Sequence, residues 1–159
     1  MRPQPKYEMP AFADIAVYAP DRHLVLAVEV KEARQVSAKE AAALRRSLLA
    51  HGLLPDSAFF LLVYPSMLFL WRRETPAADP PDYVASTIPV LNDTELNITG
   101  DDEAHLRKGG LQLRVFAWLS VLASDLRSAD PRSEAEKMLI DSGAYDQLRH
   151  GNVRFEADS

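Results

Sequence analysis

Between Ala13 and Lys31, apolar residues recur at every second position. Ile15 and Val17 alternate with Asp14, Ala16 and Tyr18, and Leu24, Leu26, Val28 and Val30 alternate with Val25, Ala27, Glu29 and Lys31. A period of two predicts two short strands, and Pro20-Asp21 between them is suited to a turn, so the expected product is an antiparallel hairpin. Glu29 and Lys31 then share a face. Downstream the period becomes helical. Ser37 and Glu40 form a capping box, Ala41, Leu44, Leu48 and Leu49 make an apolar stripe, and Gly52 stands at the left-handed cap position, predicting a helix over 38–51. Arg45 and Arg46 fall off that stripe, where they serve either as a solvated face or as phosphate contacts. The run FFLLVY at 59–64 predicts a strand covered on both faces, and Pro65-Ser66 turns it into MLFLW at 67–71 as a second hairpin. Trp71-Arg72-Arg73 reads as an aromatic strand end with a charged exit, or as base stacking with backbone contacts.

The second half of the chain is less regular. Residues 74–81 are rich in proline and alanine, 83–91 are weakly strand-like and 92–100 are polar. Asp101-Asp102-Glu103 reads as the acidic first turn of a helix capped by Thr99 and ended by Gly109-Gly110, with a second metal site as the alternative. Leu111, Val115, Trp118, Leu119, Leu122 and Leu126 fall at helical spacing over 111–126. Ser133 and Glu136 start a further helix to about Asp141, Ser142-Gly143 breaks it, 145–150 adds a turn, and Val153-Arg154-Phe155 ends as an edge strand. These elements describe a single α/β domain over 1–159. A motif-bearing sheet and helix occupy 12–71, a linker and irregular segment 72–100, and a helical part packing on the core 101–159.

Composition narrows the chemistry. No cysteine is present among the 159 residues, so disulfides and thiolate metal sites are excluded. His23, His51, His105 and His150 lie too far apart in sequence for metal-pair spacing, and there is no glycine-rich phosphate loop or GxSxG elbow. The opening MRPQPKYEMP lacks a signal-peptide core and no apolar run reaches spanning length, so a cytoplasmic chain with no membrane partner is expected. The net charge of −5 divides into +2 for residues 1–74 and −7 for 75–159, which makes the hairpin-bearing half the basic one.

A carboxylate and an ammonium inside an apolar strand are costly to bury unless they are paired, hydrogen-bonded or metal-bound. Asp14 opens the neighbouring strand, so closing the hairpin brings its carboxylate toward Glu29 beside Lys31. Two carboxylates suit a hard cation such as Mg²⁺, which keeps several waters of its own.

Asp14, fourteen intervening residues and then Glu29-Val30-Lys31, followed by a helix and another apolar strand, resembles the PD-(D/E)XK nuclease superfamily over roughly residues 12–71. The resemblance implies a restriction-endonuclease-like mixed sheet flanked by helices. It implies metal-dependent phosphodiester hydrolysis, with Asp14, Glu29 and the Val30 carbonyl holding Mg²⁺ or Mn²⁺ and Lys31 acting on the attacking water and the phosphate. It implies nucleic acid as partner, DNA ahead of RNA. Glu8 stands where some members carry a further glutamate, and Gln35 where some carry a polar substrate contact. The alternative is a nuclease-like scaffold or protein-interaction module without catalysis.

Two departures accompany the resemblance. Ala13 replaces the proline that usually precedes the motif aspartate. The family core also begins with a helix and a strand, whereas only thirteen residues precede Asp14 and three of them are prolines. The expectation is a substitute helix at 111–126, arriving from later in the chain, or a partner subunit in a homodimer, or else a reduced, inactive version of the fold.

Overall fold

A computed structural model describes residues 13–31, 36–87, 109–124 and 133–156. The chain order is β1 (Ile15–Tyr18), β2 (Leu24–Val30), α1 (Ala38–Ala50), β3 (Phe59–Val63), β4 (Met67–Arg72), β5 (Tyr83–Ser86), α2 (Gly109–Ala123), α3 (Glu134–Ser142), α4 (Ala144–Leu148) and β6 (Asn152–Phe155). Six strands form one mixed sheet in the order β5-β4-β3-β2-β1-β6. Only β2 and β3 are parallel, because α1 carries the chain from one to the other; every other neighbouring pair is antiparallel.

The β1–β2 hairpin forms as the alternation predicts, with one irregularity. Ile15 faces Val28 and Val17 faces Leu26, but Tyr18 faces Leu24, so Val25 is the extra residue of a bulge. Val25 therefore joins Leu26 in the core beneath the sheet instead of sharing the face of Ala27 and Glu29. The turn is closed by Arg22 N–H donating to the Ala19 carbonyl (2.8 Å) and Ala19 N–H to that of His23 (2.9 Å).

The sheet divides the core in two. On one face Ile15, Val17, Leu26, Val28, Leu61 and Leu70 pack against Val115, Trp118, Leu119 and Leu122 of α2, Leu139 of α3 and Leu148 of α4. Burying each such leucine or valine contributes about 1.5–3 kcal/mol. On the other face Ala27, Phe60, Leu62, Phe69 and Trp71 pack beneath α1 through Ala41 and Leu48. β3 is buried at every position, as its unbroken apolar run predicts.

α1 begins with the expected capping box, Ser37 accepting from Glu40 N–H (3.1 Å) while the Glu40 carboxylate accepts from Ser37 N–H (2.9 Å). His51 is the C-cap and Gly52 follows at φ +67. The buried stripe is corrected: it is Ala41, Arg45 and Leu48, and Leu49 is exposed.

α2 opens at Gly109, two residues before the expected start and where a preceding helix was expected to end. It packs on the sheet from late in the chain, and β6 pairs antiparallel with β1 as an edge strand. α3 is capped by Ser133, which accepts from Glu136 N–H, and closes at Gly143. The acidic segment 101–103 with Thr99 and His105, the end of the expected helix at 125–126, and residues 88–91 lie outside the described residues. Among the described residues, no helix is long and apolar enough to cross a membrane.

Candidate functional site

Asp14 sits at the entrance of β1 and Glu29 near the exit of β2. Ile15 is paired with Val28, and Asp14 N–H donates to the Val28 carbonyl (2.8 Å), which holds Asp14 beside the end of β2. Glu29 belongs to the sheet face that α1 covers, since its β3 partner Leu62 lies in that core. Asp14 Oδ2 accepts from Val30 N–H at 2.7 Å, which fixes the carboxylate across the hairpin. Glu29 is buried, 6% exposed, and its Oε2 lies 3.1 Å from Lys31 Nζ, which is partly open to solvent. Lys31 is held from the other side as well, its N–H donating to the Val63 carbonyl of β3 (2.9 Å).

The electrostatics of this cluster are unbalanced. Burial, reinforced by the neighbouring Asp14 charge, pushes the Glu29 carboxyl from its ordinary 4.5 up to about 7, although the hydrogen bond and charge of Lys31 act the other way. One lysine therefore does not compensate two carboxylates. A divalent cation fits the donor set, since it neutralises the excess charge and takes carboxylate and backbone carbonyl oxygens. Asp14, Glu29 and the Val30 carbonyl are the oxygen donors available in this segment. Among the described residues there is no group of three or more histidine, aspartate or glutamate side chains arranged to hold a metal.

Two neighbours of this cluster escaped the sequence reading. Tyr64 directly follows β3 and is buried on the Glu29 face; burial, then the charges of Glu40 and Glu29, raise its phenol pKa. Its signal was present, because Tyr64 is the polar-ended residue closing the FFLLVY run. Glu40, read only as a capping residue, contributes its charge to the same surroundings.

The remaining candidates separate. Arg45 is not on a solvated face and makes no surface available to phosphate: it is 3% exposed, with Nη1 donating to the Pro76 carbonyl (3.1 Å) and Nη2 to that of Thr75 (2.9 Å). Its guanidinium carbon lies 5.5 Å from the Trp71 ring centroid. The loop after β4 presents several carbonyls with no strand partner, and a planar cation beneath α1 satisfies them. Trp71 is likewise fully buried, stacked on Phe60 at 5.7 Å, so it offers no platform for a base. Arg46 is exposed. Glu8 and Gln35 lie outside the described residues.

Compared with protein-family models, with curated proteins and with solved structures, the chain matches none.

Proposed function

We propose that the protein is a metal-dependent nuclease of the PD-(D/E)XK kind, hydrolysing a phosphodiester at the Asp14–Glu29–Lys31 cluster. The observation that carries this reading is a buried glutamate with an aspartate charge beside it and a lysine two residues on sharing its face, where a structural strand would favour apolar side chains. The topology supports the restriction-endonuclease-like fold: the parallel β2–α1–β3 unit follows the motif, and from late in the chain α2 packs on the sheet and β6 pairs with β1.

Asp14, Glu29 and the Val30 carbonyl hold the cation in this reading. A bound Mg²⁺ or Mn²⁺ supplies charge neutralisation for the phosphate and lowers the pKa of water. Asp14 also fixes the hairpin backbone through Val30 N–H, so the oxygens stay aligned without a rearrangement. Lys31 gives up its contact with Glu29 when substrate enters. It then offers its ammonium to the attacking water and to the charge growing on the phosphoryl oxygens. Substrate is nucleic acid, with DNA the first polymer to test.

The deciding experiment is a thermal-shift titration with Mn²⁺ and Mg²⁺ on the wild type and on Glu29→Gln. A ligand bound only by the folded state stabilises by about 2.7 kcal/mol at a hundredfold excess over its dissociation constant. A shift in the wild type that disappears in Glu29→Gln supports the metal site. Absence of a shift in both, together with no cleavage of single- or double-stranded DNA or RNA, replaces this reading with the catalytically inactive scaffold. The Lys31–Glu29 ion pair would then be the cluster's final state.

A further inference from the structure

At the end of β1 and β6 away from Asp14, a groove of about 580 Å³ opens between Tyr18, Arg22, His150, Asn152 and Arg154. Its position follows from the register. Arg154 lies opposite Ala16, which pairs with Ala27, and Asn152 opposite Tyr18, so these residues stand on the sheet face that carries Ala27 and Glu29. The intervening Val153 and Phe155 face the helices, Phe155 stacking on Phe116 of α2 at 4.2 Å. Four residues of extended chain separate Tyr18 from Asp14, roughly 13 Å.

The groove is basic on a chain whose net charge is negative. The Arg154 guanidinium carbon lies 5.8 Å from the Tyr18 ring centroid. Two acids stand nearby: Glu156, with Oε2 3.8 Å from Arg154 Nε and accepting from the Tyr18 hydroxyl at 3.5 Å, its N–H donating to the Asp14 carbonyl toward the motif end, and Asp21, next to Arg22 in the chain, whose carboxylate pairs with His23 Nδ1. No acidic side chain among the described residues pairs with Arg22.

The backbone is unusual at the same place. Arg22 (φ 78) and His150 (φ 64) are the non-glycine residues with positive φ among those described, and both line this groove. Such conformations concentrate at functional sites. Between the two walls, Gly151 lies so close to β1 that a Cβ there would come 2.3 Å from the Tyr18 carbonyl oxygen.

We propose that this groove receives a single-stranded segment of nucleic acid and leads it along the face of β1 to the Asp14–Glu29–Lys31 cluster, a proposal that rests on the nuclease reading. Arg22 and Arg154 take phosphates, and Tyr18 offers its ring to one base. A cavity of this size suits one nucleotide-sized group. An aromatic ring beside cations recognises a base only when it is unstacked, which favours a single strand over a duplex.

The test is fluorescence anisotropy with a short labelled oligothymidylate and a blunt duplex, using Glu29→Gln protein so that the probe is not cut. Arg22→Asn with Arg154→Gln weakens single-strand binding at least about tenfold and flattens its salt dependence by the loss of two phosphate contacts. Asparagine at position 22 keeps the left-handed backbone accessible. Tyr18→Leu weakens the single strand by roughly fivefold or more. Unchanged affinity in the double variant, or a duplex bound as tightly as the single strand, overturns the proposal. No oligonucleotide binding at all overturns it too. A Mn²⁺-induced thermal shift in protein retaining Glu29 separates the two readings: present without oligonucleotide binding, it leaves the metal site and removes the groove. Groove-dependent binding without any Mn²⁺ response keeps the groove and removes metal-dependent cleavage.

Discussion

Arg45 and Glu29 are charges buried on the same face of one sheet, at 3% and 6% exposure, and their surroundings are opposite in kind. Around Arg45 the loop after β4 supplies the carbonyls of Thr75 and Pro76 as acceptors, Trp71 lies against the guanidinium, and Asp82 and Asp79 lend negative charge. Around Glu29 one lysine stands against a second carboxylate, and the glutamate's pKa rises to about 7. A buried cation surrounded by fixed acceptors completes a core. A buried carboxylate beside another carboxylate keeps an excess of negative charge that one lysine does not offset. The difference lies in the partners, not in the depth of burial.

Four substitutions break or sharpen this contrast. The largest effect is expected for Lys31→Ala, which should lower cleavage by at least about 10²-fold while circular dichroism and melting remain close to wild type. Retained cleavage would remove Lys31 from the mechanism. Arg45→Ala should act on stability instead, by about 3 kcal/mol in denaturant unfolding, because it opens space beside Trp71 and removes the hydrogen bonds to the Thr75 and Pro76 carbonyls. A variant as stable as the wild type would show that water replaces the guanidinium.

The third effect is a pH dependence. Glu29 has a folded pKa raised from 4.5 to about 7, so the folded state holds the proton more tightly than the unfolded chain. Its contribution is fully present below about pH 4.5 and is lost as pH rises through 7, amounting to roughly 3 kcal/mol in metal-free protein. Glu29→Gln should remove that component of the slope and, at pH 8 without metal, leave stability equal to or above the wild type. Chemical denaturation across pH 4–8 reads both results, and an unchanged slope in the variant would assign the dependence to another group. The smallest effect is expected for Arg46→Ala, next to Arg45 but exposed, at no more than about 0.5 kcal/mol in the same unfolding measurement.

What the amino-acid order determined by itself was local. The hairpin, the capped helix α1, the two apolar strands after it and the Ser133-capped helix follow from period, turn chemistry and capping, all of which act within a few residues. The shared face of Glu29 and Lys31 is equally local, since side chains two apart on a strand point the same way. Tertiary structure decided the rest. Arg45 reads as a surface residue because nothing near it in sequence shows that Thr75 and Pro76 will bring their carbonyls to it. Val25 changed faces through a bulge fixed by the pairing of Tyr18 with Leu24, not by its own alternation. The placement of β6 beside β1 joins residues more than a hundred positions apart, and with it come Arg154 and Asn152 on the Glu29 face. Local periodicity says which side of a strand is apolar; only the packed sheet says which strand lies next to it and what each buried charge meets.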